Sequence, residues 1–166
     1  MVAVIFGVTG AGKTTIGKAL AHDLSWKFCD ADDFHPPANV EKMRNGVPLT
    51  DEDRQPWLES LHELIQQSIA ANEGMVLACS ALKKKYRDRL KVSDEVKFVF
   101  LRGDRKQIAK QLGQRRGHFM NPDLLERQLA DLEEPLPAEN AIMVVLGEKP
   151  GELVKEIKTS LRKQSQ

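Results

Sequence analysis

Gly7-Val8-Thr9-Gly10-Ala11-Gly12-Lys13-Thr14 follows the spacing GxxxxGK[ST], and that spacing restricts the fold in which it can work. The loop must leave a buried strand and open a helix. Val2-Ala3-Val4-Ile5-Phe6 before it is a short β-branched apolar run that predicts such a strand. After it, Ile16, Leu20 and Leu24 recur at helical spacing. Glycines let the backbone wrap around phosphate oxygens, and successive N–H groups at a helix N-terminus supply partial positive charge. Lys13 is expected to reach the β- and γ-phosphates and the Thr14 hydroxyl to hold Mg²⁺. A nucleoside triphosphate is the expected ligand. Its binding set reads as Gly7, Val8, Thr9, Gly10, Ala11, Gly12, Lys13, Thr14 and Thr15.

The rest of the chain alternates apolar strands with helices, without linker or repeat. Further strands are expected at Lys27-Phe28-Cys29, Met75 to Cys79, Val96 to Leu101 and Ala141 to Leu146. Helices are expected over Pro37 to Asn45, after Thr50, and from Pro150 to Arg162. Thr50 with Asp53 suggests a capping box. Continuous apolar strands separated by helices indicate a five-stranded parallel sheet covered on both faces, in an α/β, three-layer arrangement. At 166 residues the chain fits one domain, 1–166. Charged residues are 30% of the chain yet sum to only +1, which argues against a sequence-independent hold on nucleic acid. No apolar run of about 18 residues suggests a membrane span, and no leader is apparent. Cys29 and Cys79, each ending an apolar run, read as reduced and buried, so the expected location is cytoplasmic.

In a parallel sheet, ligands gather beyond the carboxyl ends of the strands. Asp30-Ala31-Asp32-Asp33 follows the second strand. If the strand continues, Asp30 and Asp32 point the same way, Asp30 toward the magnesium shell and Asp32 as base for a substrate hydroxyl. His35 is either a substrate contact or a turn residue. After the third strand, Ser80 is placed to cap a helix, and Lys83 and Arg87 to share one face of it. Arg54, Lys83 and Arg87 are the candidate holders of a carboxylate-bearing acceptor. The glycine-flanked segment 113–122 reads as a mobile lid. From it Arg115 or Arg116 would meet the triphosphate, Arg116 standing as the catalytic candidate.

Several of these stretches together resemble the small P-loop gluconokinases. They are Gly7 to Thr14, Asp30-Ala31-Asp32 with His35-Pro36, Asn39 to Met43, and Leu49 to Arg54 with Pro56-Trp57-Leu58. Cys79-Ser80-Ala81-Leu82-Lys83 with Tyr86-Arg87-Asp88, and Arg116-Gly117-His118-Phe119, complete the match. The resemblance runs in order to about Pro135. It implies transfer of the γ-phosphoryl of ATP, with Mg²⁺, to the 6-hydroxyl of D-gluconate. It implies the fold of the shikimate kinase and nucleoside monophosphate kinase group. His35 and His118 join Asp32 among the acceptor-binding candidates. Asp33-Phe34 and Met120 depart from the family pattern beside the acceptor site. A shikimate-type kinase and a non-catalytic nucleotide-binding module are the rival readings, and a homodimer is left open.

Overall fold

In a computed structural model of the chain, residues 1–113 and 122–166 are described. Five strands form one parallel sheet: β1 Val2–Phe6, β2 Lys27–Asp30, β3 Met75–Ala78, β4 Val96–Arg102 and β5 Ile142–Val145. Their spatial order is β2-β3-β1-β4-β5, so the strand that feeds the phosphate loop lies in the middle. Val2 stands level with Met75 on one side and Val96 on the other. The helices among the described residues are α1 Lys13–Leu24, α2 Pro37–Arg44, α3 Asp51–Ala70, α4 Lys84–Leu90, α5 Arg105–Gly113, α6 Pro122–Asp131 and α7 Pro150–Lys163.

Strand periodicity divides the core in two. Ala3 and Ile5 of β1 face Ile16 and Leu20 of α1 and Ile157 and Leu161 of α7. Val2, Val4 and Phe6 face the other way, onto Trp57, Leu61 and Ile65 of α3 and Leu90 of α4. β1 is fully buried, which is why it shows no apolar–polar alternation. Thr50 begins α3 as expected: its side chain accepts from the Asp53 amide, and Asp53 accepts in return from the Thr50 amide.

Two expectations change at the rim. β5 is covered on one face only: Ile142 and Val144 are buried, whereas Met143 and Val145 are 41% and 64% exposed. A short apolar run at a sheet edge has the same composition whether one face or both are covered, so the sequence alone does not separate the cases. The second strand also stops at Asp30, and Ala31–Phe34 coil into a 3₁₀ turn instead of extending. No helix among the described residues is long and apolar enough to cross a membrane.

Candidate active site

The loop between β1 and α1 is held by its own backbone before any ligand is considered. The Gly7 amide donates to the Ser80 carbonyl at 3.3 Å, tying the loop to the end of β3, and the Ala11 amide donates to Val8 at 3.2 Å. Val8 and Ala11 turn their side chains into the core, so they offer backbone alone to a ligand. Gly10, at φ +81°, is the tightest point: a Cβ there would lie 2.3 Å from Leu112 Cγ of α5. Gly12, also left-handed, forms the N-cap of α1. Lys13 Nζ donates to the Val8 carbonyl at 2.9 Å, so the ammonium folds back over the loop. Thr15 is exposed.

A polar pocket opens between this loop and the ends of β2 and β3, lined among others by Lys13, Thr14, Asp30, Asp32 and Ser80. The Thr14 hydroxyl donates to Asp30 Oδ2 at 3.3 Å. Asp30 Oδ1 accepts from the Asp32 amide at 3.0 Å, capping the 3₁₀ turn. Asp32 therefore reaches the pocket through a turn and not along the extended strand expected from the sequence. Desolvation by the pocket walls, and then the neighbouring Asp30, push the Asp32 carboxyl above the ordinary carboxylate range, with Lys13 opposing. The Thr14 hydroxyl and the Asp30 carboxylate are hard oxygen donors, a set that fits Mg²⁺.

Beyond the acidic turn, His35 stacks on Trp57 with ring centroids 4.5 Å apart and planes 9° from parallel. Trp57 Nε1 in turn donates to the Ala31 carbonyl at 2.7 Å, pinning the turn that carries Asp32. Burial, with the Arg54 charge second, lowers the His35 pKa to about 4, so the ring is neutral near pH 7. Arg54 Nη1 donates to the Leu49 carbonyl at 2.8 Å and approaches the Tyr86 hydroxyl at 3.4 Å. Its guanidinium lies 5.5 Å from the Tyr86 ring centroid, and Lys83 Nζ lies 6.0 Å from the same centroid. Tyr86 donates to Asp51 at 2.5 Å, and burial followed by that bond raises its pKa to about 12.

Arg87 does not join this group. Its side chain is 2% exposed and pairs in two-pronged fashion with Glu139, Nε to Oε1 at 2.7 Å and Nη2 to Oε2 at 3.2 Å. Nη1 donates to the carbonyls of Ala81 and Leu82 at 3.0 and 3.1 Å. With its donors so engaged, Arg87 braces the chain after β3, and the expectation that it grips an acceptor is corrected. α4 begins at Lys84 with Lys83 as N-cap, so Lys83 and Arg87 do not form the pair expected on one face, and Ser80 does not cap this helix. Breaking a buried ion pair strands the other charge, so Arg87→Ala should cost about 3–5 kcal/mol. Urea unfolding of the two proteins measures it; a shift under about 0.5 kcal/mol, usual for a surface site, would contradict the bracing role.

Gln128 on α6 was not anticipated. Its Oε1 accepts from the Thr9 amide at 2.5 Å, and the side chain lines the phosphate-loop pocket. No local spacing could signal a contact between residues 119 positions apart. Arg115, Arg116 and His118, with most of the expected lid, lie outside the described residues.

Comparison with known proteins accords with this geometry. The family model for shikimate kinase matches residues 9–162. Gluconokinase of Gluconobacter oxydans is 47% identical, over 92% of this chain and 86% of its own. The chain belongs to the gluconokinase family. Thermosensitive gluconokinase of Escherichia coli is 46% identical, over 84% of this chain and 75% of its own. Among solved structures, a gluconokinase from Sinorhizobium meliloti superposes with a TM-score of 0.88 at 39% identity, covering 97% of this chain and 91% of its own. Shikimate kinase from Aquifex aeolicus reaches 0.61 at 20% identity, covering 99% and 98%, a likeness of fold. Membership in the gluconokinase family makes this chain a P-loop kinase, and the loop geometry above is the part of that description visible residue by residue.

Proposed function

We propose that this protein transfers the γ-phosphoryl group of ATP to the 6-hydroxyl of D-gluconate by direct in-line displacement, giving 6-phospho-D-gluconate and ADP. The observation that carries the reading is Asp32, which lines the phosphate-loop pocket with Lys13 and has its carboxyl pKa raised above the usual range. A carboxylate whose basicity is raised is suited to accept the hydroxyl proton as the oxygen attacks. Lys13, reaching across the loop, offsets charge building on the phosphoryl oxygens, and Arg116 is assigned the same task from segment 113–122. Arg115 is assigned to the triphosphate. Thr14 and Asp30 would hold Mg²⁺, which when bound screens the phosphate charge.

Acceptor binding is assigned to the other side of Asp32. Arg54 and Lys83 supply positive charge for the gluconate carboxylate, and a guanidinium suits it geometrically. His35, neutral and half-buried, supplies a hydrogen-bonding group for a sugar hydroxyl, with His118 as a further acceptor contact. Shikimate kinase likeness below a quarter identity speaks for fold, whereas the gluconokinase relatives are alike over most of both chains. The position of transfer is read directly by ³¹P–¹³C coupling in the product made from ATP and gluconate. Coupling to C6 is expected; phosphate on any other oxygen, or no product, contradicts the assignment.

A further inference from the structure

Asn39 is 4% exposed, a buried polar side chain on α2. Its amide nitrogen donates to the Asp53 carbonyl at 2.7 Å. A backbone carbonyl only accepts, so this bond identifies which end of the Asn39 amide is nitrogen. The same nitrogen lies 3.3 Å from His35 Nδ1. With one hydrogen on Asp53, the second is directed at the ring, and Nδ1 must accept it. A proton on Nδ1 would set two donors against each other. A neutral imidazole carries one proton, which then resides on Nε2.

The surroundings of the ring reinforce this. Trp57 stacks on it and fixes its plane. Arg54 is the charged group acting on it, and a nearby positive charge disfavours the imidazolium. The His35 backbone amide donates to the Asp32 carbonyl at 3.4 Å, so the ring and the turn carrying Asp32 are linked. Asp53, which receives the Asn39 amide, is itself held by Lys42 and by the capping box of α3. The chain Thr50–Asp53–Asn39–His35 thus runs from a helix cap to the acceptor side of the site.

We propose that Asn39 is a positioning residue that holds His35 in its Nε2–H tautomer, making His35 a hydrogen-bond donor to a hydroxyl of the polyhydroxy acid acceptor. The donor role rests on the acceptor reading above; the tautomer does not. A ring free to exchange tautomers would present an acceptor to the same hydroxyl part of the time. Asn39 removes that alternative without touching the substrate.

The test uses the full chain with ¹⁵N- and ¹³C-labelled histidine. The sequence has 4 histidines, and the His35 signals are identified by their loss in His35→Gln. The Nε2–H tautomer is expected in the wild type and a mixture in Asn39→Ala, with the gluconate KM rising about fivefold, the worth of one hydrogen bond, and the ATP KM unchanged. An Nδ1–H ring in the wild type, or an unchanged tautomer in Asn39→Ala, overturns the proposal. Because Asn39→Ala also loses the Asp53 bond and some stability, a second pair leaves Asn39 in place. His35→Gln presents an amide at the ε position and should keep a lower gluconate KM than His35→Asn, whose amide sits at the δ position; the reverse order overturns the donor role. A gluconate KM unmoved in His35→Ala overturns the acceptor reading beneath it, while the tautomer measurement judges Asn39 by itself.

Discussion

Lys13→Ala is expected to lower turnover at least about a hundredfold while leaving the fold in place. The ammonium is the one cation lining the pocket among the described residues, and it leans over the loop through the Val8 carbonyl at 2.9 Å. Removing it deletes charge where negative charge accumulates, and does so in a pocket walled by two carboxylates. The fold should survive because the loop's shape is held by the Gly7–Ser80 and Ala11–Val8 backbone bonds, which the substitution leaves alone. Steady-state turnover together with a thermal unfolding curve checks both halves. Near-normal turnover in a folded Lys13→Ala protein would remove the loop from the chemistry.

Asp32→Asn should have a still sharper signature, because the surroundings that raise the basicity of Asp32 also make its charge costly. Turnover should fall roughly a hundred- to ten-thousandfold, the range lost with a general base, while ATP still binds. The pH dependence follows from the direction of the shift. Asp32 is protonated more readily in the folded protein than in the unfolded chain. Its effect on stability is therefore most favourable below the unfolded pKa and is lost as pH rises through the folded one. At neutral pH the ionised carboxylate, beside Asp30, costs the free protein stability, and Asp32→Asn should be at least as stable as the wild type. The wild-type kcat/KM should fall on acidification along a limb lying above the ordinary carboxylate range, and that limb should vanish in the variant. Asp33→Asn, one residue on, should leave turnover nearly unchanged, since Asp33 does not line the phosphate-loop pocket. Similar losses in the two variants would contradict the separate roles.

These residues differ in how far the sequence could reveal them. The phosphate loop is legible because its chemistry is local: eight consecutive positions fix both the turn and the helix start. Asp32 is legible as a residue type in an acidic turn, but the reason offered from sequence, strand alternation, is not how it arrives. A capped 3₁₀ turn brings Asp30 and Asp32 to one pocket, held by a Trp57 bond from a helix 26 positions away. Arg87 misleads for a similar reason. Four residues from Lys83 it resembles an anion clamp, yet Glu139, 52 positions on, consumes two of its donors. Gln128 gains its role from a long-range partner, Thr9, and has no distinctive neighbourhood in the chain. The exposed face of β5 escapes notice because edge position is a property of the sheet order.

The central claim, a sugar-acid kinase built on Lys13 and Asp32, is tested most directly by acceptor-dependent ADP release. Purified protein with ATP and Mg²⁺ would be assayed without acceptor, with D-gluconate, with related sugar acids and with shikimate. Release driven by gluconate well above the acceptor-free rate, with shikimate no better than none, is the predicted result. ADP release that ignores gluconate, or that responds to shikimate instead, would contradict it.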